Sequence, residues 1–341
     1  MGRRLLIGIA VILVLIGTGV SAYWYVLAQR LSDGFTAWTQ ARRAAGWAIQ
    51  ARRPSWRGWP VTARLVVPDF RIAGGEAEIP GGLSWSTEQL LLDLDLRHPA
   101  ALILRSVGTQ HVGGAKTPGF PYTARVMRAT LSLTHPDAPA ELAIRALRAG
   151  QNGLAVGAID ALVALNAAAS SDQSAVAMTL TANLVELPVG TNWPLGPHIA
   201  SLTTESALSG PVPPPSDPAH EAAAWRDAGG ALHVSSLGLR WGPLDARLTG
   251  TLSLDRSLQP TAEGRVVASN YAPTLDALAA HRVMGNDAAL AAKAVLSLLA
   301  RAPQAGGPSQ VEVPFTIHDR TVAAGGIPLT KLPELRWPGG S

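Results

Sequence analysis

From Val61 onward the chain alternates apolar and polar residues with a period of two, over and over, and this pattern restricts it to antiparallel sheet. In "RVMRATLSLTH" Met127, Ala129, Leu131 and Leu133 fall on one face and Arg128, Thr130, Ser132 and Thr134 on the other. "DARLTGTLSLD" sets Ala246, Leu248, Leu252 and Leu254 against Arg247, Thr249, Thr251 and Ser253. "VEVPFTIHD" aligns Val311, Val313, Phe315 and Ile317, and "EQLLLDLDL" aligns Leu90, Leu92, Leu94 and Leu96. A strand of this kind buries one face and wets the other, as antiparallel sheets do. Further strands are expected at 61–72, 141–147, 152–166, 175–187, 198–208, 231–241, 260–269 and 322–329, usually with turn residues between them. The fold class is α+β, mostly β: an N-terminal transmembrane helix, then an extended, curved antiparallel sheet with a few packing helices.

The opening segment obeys a different rule. "MGRRLLIGIAVILVLIGTGVSAYWYVLAQR" carries Arg3 and Arg4 and then no charge until Arg30. Leu5 to Leu27 is long enough to cross a hydrocarbon core about 30 Å thick as a helix. Tyr23, Trp24 and Tyr25 stand at its far end, where aromatic rings favour the interface. Arginines ahead of the span are expected to keep the N-terminus in the cytoplasm and send the rest across the inner membrane, into the periplasm. The rival reading is a signal peptide cleaved after Ala22, with "VSA" as the small-residue site. Retention fits the aromatic belt that follows directly.

Residues 1–30 thus read as the anchor and 31–53 as an amphipathic helix. Ser32 or Asp33 would cap a new turn. Leu31, Phe35, Trp38, Ala45 and Ile49 recur at helical spacing, with Arg42, Arg43, Arg52 and Arg53 on the remaining arc. Pro54 is expected to stop this helix. In "PSWRGWPVTARL" Trp56 and Trp59 read most simply as the wedge that packs helix onto sheet. The alternative is a membrane contact in which Arg42, Arg43, Arg52 and Arg53 meet phosphates while Trp56 and Trp59 lie at headgroup level. Residues 54–208 form a first β-rich section, 209–229 a proline-rich linker or long loop, and 230–341 a second β-rich section. Within the last, 272–302 reads as a helical hairpin broken near Gly285-Asn286, with Leu275, Leu278, Leu290, Val295 and Leu298 facing the sheet.

The order of a span, a tryptophan-bearing helix, "GWP", "ARLVVPDFRI", "LSWSTEQLLLDLDLRHPAAL" and "VPFTIHDRTVAAGGIPLTKLPELRW" resembles the alphaproteobacterial family catalogued as domain of unknown function 2125. The resemblance covers most of the chain and brings no catalytic motif. More distantly, "LDARLTGTLSLDRSLQPTAEGRVVASN" is similar to exported repeats of AsmA-like envelope proteins, which use extended sheets as lipid-handling grooves or scaffolds. What the resemblance implies is an inner-membrane protein with a periplasmic β-rich domain.

Chemistry is hard to find. Cysteine is absent, which excludes disulfides, thiolate nucleophiles and cysteine-ligated metals. None of His98, His111, His135, His198, His220, His233, His281 and His318 forms the spaced pair with glutamate that zinc proteases need. "GTQHVGGAKT" places Gly114 and Ala115 before Lys116-Thr117, too far along for a phosphate loop. No G-x-S-x-G elbow occurs. Asp93 and Asp95 share a strand face, and a solvated polar face accounts for them better than a glycosidase pair. The net charge of +4 with only Lys116, Lys293 and Lys331 as lysines speaks against nucleic acid. No catalytic, cofactor or metal residue is assigned, and no enzyme is expected. The expected partner is the membrane, with lipid acyl chains or envelope proteins as the ligand.

Overall fold

An apolar run with no water to bond must satisfy its own amides, and only a helix does so within one segment. In the computed structural model α1 runs from Gly2 to Ala44 without interruption. The structure describes residues 2–75, 82–114, 119–135, 137–150, 153–166, 168–170, 173–211, 217–301 and 308–337. Along the first half of α1, Ile7, Ile9 and Val11 through Ile16 are exposed. It is long and apolar enough to cross a membrane. Its hydroxyls are satisfied within the helix, Thr18 Oγ1 donating to the Val14 carbonyl at 2.8 Å and Ser21 Oγ to that of Gly17 at 2.7 Å. Further along, Leu27, Ala28 and Leu31 are buried.

The expected fresh start at Ser32 or Asp33 does not occur. Leu31 and Phe35 continue the same packed stripe, and the Ser32 carbonyl accepts from Thr36 inside the helix. Nor does Pro54 end it. Gly46, with φ of +87°, takes the left-handed turn that a side chain would resist. The amides of Gly46 and Trp47 close back on Arg43 and Arg42, each at 3.0 Å. Arg42 and Arg43 fall in the last turn, where cations complement the helix dipole. Ile49, expected on the helix, lies buried on a strand instead.

The chain forms two compact units that meet in sequence at Ala140–Glu141. In the first, β1 (Ala48–Gln50) and β2 (Ser55–Arg57) pair with opposite ends of β3 (Thr62–Gly74). Next come β4 (Leu83–Asp95) and β5 (His98–Gly113), whose far flank takes β6 (Phe120–Thr123) and β7 (Val126–Ser132). All are antiparallel. The even register Ala63↔Leu94, Leu65↔Leu92 and Val67↔Leu90 brings three apolar pairs onto one face. Leu27, Ala28 and Leu31 of α1 cover them, with Trp47 and Phe70 at the far end. Leu65 is 1% and Phe70 2% exposed. This is a sealed core.

The second unit opens on β8 (Ala140–Ala149). From there it is a meander of β9 (Leu154–Leu165), β10 (Ser174–Glu186), β11 (His198–Ser209), β12 (Leu232–Trp241), β13 (Leu244–Leu254) and β14 (Pro260–Ser269). β15 (Gln310–His318), β16 (Thr321–Ala324) and β17 (Ile327–Lys331) complete it. Each strand from β9 to β17 pairs antiparallel with the next. Because β11 pairs directly with β12, residues 209–229 do not separate one β-rich section from another. Their described part carries α2 (Pro218–Asp227), which is N-capped by Asp217. The expected division into 54–208 and 230–341 therefore gives way to one at Ala140.

Candidate functional site

Register decides which side chains share a face, and in the second unit it makes one face apolar across the meander. Val176 stands between Leu165 and Leu208; Leu232 then pairs Leu252, and Leu252 pairs Ala262, which faces Ile317. A parallel row runs Leu180, Thr204, Leu237, Leu248, Val266 and Val313. These side chains are half-buried, apart from Leu165, which is exposed. The opposite face holds Arg247, Thr249, Glu263 and Arg265, the last paired with Glu312 at 3.1 Å. Within the apolar face Gly264 opposes Gly250, and the Phe315 ring leans over Gly264 so closely that a Cβ there would lie 2.7 Å from it. Only glycine leaves that ring its place.

The helices of this unit attach at the ends of the strands. At one end, Trp225 of α2 donates to the Ser209 carbonyl at 2.8 Å, and Arg226 donates to the Asp255 and Arg256 carbonyls. The C-terminal stretch joins them there, Gln259 exchanging two hydrogen bonds with Leu335 and Trp337 reaching the Leu258 carbonyl. At the other end Trp241 donates to the Gly196 carbonyl at 2.7 Å, edge-on to Trp193. The expected hairpin forms there as α3 (Tyr271–Ala280) and α4 (Asn286–Leu299), tied by a Lys293–Asp276 ion pair. Its expected sheet-facing set needs partial correction. Leu275 and Leu278 are half-buried, but Leu290, Val295 and Leu298 are exposed, because the small Ala289 rather than a leucine takes the inner position.

The residues proposed for membrane contact divide into two groups. Trp56 lies edge-on to Trp24 at 6.4 Å and to Tyr25 at 5.5 Å. The Trp59 indole donates to Ser21 Oγ at 3.2 Å, and Trp24 donates to the Thr62 carbonyl at 2.8 Å. Both tryptophans thus sit level with the aromatic belt of α1. Trp56 packs from β2 onto α1, but Trp59, at 61% exposure, is not the buried wedge between helix and sheet. That place belongs to Trp47, Phe35 and Phe70. Arg42 and Arg43 lie about 27 Å farther along the helix axis at 1.5 Å per residue. Arg43 donates to the Ile49 carbonyl and Arg52 pairs with Asp69 at 2.7 Å, while Arg53 is exposed. Arg42 and Arg43 are therefore not gathered with Trp56 and Trp59.

On the face of the first sheet away from α1, Asp93 corrects another expectation. It is buried, at 4% exposure, rather than solvated. Arg64 Nε donates to its Oδ1 at 2.6 Å, and Arg105 Nη2 donates to its Oδ2. Two strands thus offer a cation to the central carboxylate, the satisfaction a buried charge requires. Under α1, the Trp85 indole donates to Tyr122 Oη at 2.8 Å, and Tyr122 and Ser106 both donate to Gln110 Oε1. Burial raises the Tyr122 pKa above the usual 10, opposed by the Trp85 hydrogen bond. Among the described residues no three His, Asp or Glu gather as a metal site. Lys116 and Thr117 of the glycine-rich loop lie outside the described residues.

A family model described as "Uncharacterized protein conserved in bacteria (DUF2125)" matches residues 24–333. The chain belongs to the DUF2125 family. That match begins at the aromatic belt and takes in both DUF2125 units. No curated protein and no solved structure is similar enough to count as a match. What the sequence did not single out here are Trp47, Arg57, Arg64 and Arg105, and only strand register shows that the last three share a face with Asp93.

Proposed function

We propose that this DUF2125 protein is a single-pass inner-membrane protein whose second unit, in the periplasm, shelters lipid acyl chains during envelope assembly. It acts by binding, not by catalysis. The observation that carries this is the apolar face running from β9 to β15, half-buried, with the helices of the unit attached at the strand ends. Apolar surface left without a covering layer generally marks a binding surface. The AsmA-like likeness of residues 244–270 supports the same reading. Arg3 and Arg4 ahead of the span support an N-in orientation. The Ser21–Trp59 hydrogen bond, made upstream of the "VSA" cleavage point, supports a retained anchor.

The test places a photo-crosslinking amino acid at Leu252, on the apolar face, and at Thr249, on the opposite face. The full chain is irradiated in native membranes and weighed. A mass increment of a diacyl lipid at Leu252 but not at Thr249 is expected. A protein adduct at Leu252 would instead favour a scaffold that binds a protein partner. Leu252→Glu adds a second arm, expelling lipid while leaving the sheet folded. Unfolding by that change would mean that the face is sealed core.

A further inference from the structure

Strand register gathers an excess of cations at one end of the first unit. Arg57 of β2 stands directly opposite Arg64 of β3, and Arg105 of β5 directly opposite Arg128 of β7. Like charges in direct opposition destabilise a sheet unless something neutralises them. Asp93 serves Arg64 and Arg105 together, which leaves Arg57 and Arg128 exposed and without an ion pair among the described residues. Arg97, in the β4–β5 turn, is likewise exposed. Arg57, Arg64 and Arg97 thus share this end with two acids that the register sets beside them, Asp93 and Asp95.

The level of this patch is fixed by contacts to α1. Thr62 binds Trp24 and pairs with Asp95, and the Leu96 amide donates to the Val61 carbonyl at 3.1 Å. Leu133 joins the same rim, its amide donating to the Ala100 carbonyl at 2.8 Å. Arg64 lies two residues along β3 from Thr62, about 7 Å at 3.3 Å per residue. That matches the headgroup layer, about 5–8 Å deep on each side of the hydrocarbon core. Beside the arginines, Trp59, Val61 and Leu133 are all more than half exposed. Apolar side chains at the rim with guanidinium groups just above them form the pattern of an interfacial anchor.

We propose that this end of the first unit docks on anionic phospholipid headgroups. Arg57 and Arg97 meet the phosphates, and Trp59, Val61 and Leu133 enter the interface. The Arg64–Asp93–Arg105 triad holds the sheet rigid above them. Docking fixes the sheet against the bilayer instead of leaving it to swing on α1. This inference rests on the reading of α1 as a membrane anchor and is independent of the acyl-chain reading of the second unit. Carbonate extraction of membranes tests the anchor by itself, so the two failures are distinguishable.

The absence of cysteine makes a clean test possible. Leu133→Cys is labelled with the fluorophore NBD, and the full chain is placed in nanodiscs of phosphatidylcholine alone or with one third phosphatidylglycerol. The rate at which dithionite bleaches the label reports its exposure to water. Bleaching is expected to be several-fold slower in the anionic discs, with most of that difference lost in high salt. In the Arg57→Gln/Arg97→Gln background the docked-to-undocked ratio should fall about fivefold per arginine. Neither arginine has an ion pair among the described residues, so the fold should survive, and unchanged hydrogen exchange in β3–β5 checks this. Equal bleaching in both lipids overturns the proposal. Slow bleaching in anionic discs that persists in the double variant overturns the role of the arginines.

Discussion

The two units carry the same alternation and use it differently. In the first, α1 lies along the apolar face, and Leu65, Val67, Phe70 and Leu92 are sealed. In the second, the equivalent rows from Val176 to Ile317 remain half-buried, because α2, α3 and α4 attach where strands end. A period of two thus fixes which residues share a face, while the cover depends on where the neighbouring helices are tethered. Energetics should separate the units in the same way. Phe70→Ala removes a sealed aromatic and should cost about 3–5 kcal/mol. Leu248→Ala, on a half-buried face with room to relax, should cost less than about 2 kcal/mol. Hydrogen exchange resolved by strand reads each unit separately. A larger loss at Leu248 than at Phe70 would break the contrast.

That contrast also explains how much was legible beforehand. The apolar rows, the long N-terminal helix and the helical hairpin were readable because each follows from local periodicity. The helix end was not, because Gly46 acts through backbone geometry that competes with an equally plausible stop at Pro54. Asp93 was misread as solvated because its partners come from β3 and β5, far away in sequence. The spatial grouping of the membrane-contact set was not legible for the same kind of reason. Arg42 and Arg43 are close to Trp56 in sequence but lie near the opposite end of the helix stretch that packs on the sheet. Register brings Arg57 and Arg64 to the level of Trp24 in their place.

The sealed face also holds polar groups, and these give the first unit a pH response. Tyr122 accepts from Trp85 and donates to Gln110. Tyr122→Phe leaves both without that partner and should cost about 1–3 kcal/mol at neutral pH. Because burial raises the Tyr122 pKa, the folded state holds the phenol proton more tightly than the unfolded chain. Its contribution is whole below the ordinary tyrosine pKa of about 10 and is lost as pH rises through the folded value. The gap between wild type and Tyr122→Phe should therefore narrow above pH 10. Denaturant melts of the first unit across that range give the measurement. A gap that widens with pH would mean that Tyr122 is not held neutral by burial.

The smallest effect on stability is expected at Trp59, where size alone would suggest the largest. A buried tryptophan cut to alanine typically loses about 3–5 kcal/mol. Trp59, however, is 61% exposed, and its indole's one hydrogen bond among the described residues joins Ser21 Oγ at 3.2 Å. Truncation removes little packing and one hydrogen bond on the surface, so the cost should be about 1 kcal/mol or less. Trp47→Ala provides the sharp comparison. Trp47 is buried between the end of α1 and β3, and its loss should cost as much as that of a core aromatic. The two tryptophans therefore separate packing from membrane contact within one unit. Trp59→Ala should leave the melt of the first unit nearly unchanged and weaken its protection at a bilayer surface, whereas Trp47→Ala should do the reverse. If Trp59→Ala lowers the melt as far as Trp47→Ala does, Trp59 packs helix against sheet after all, and the rim at residues 56–61 is core.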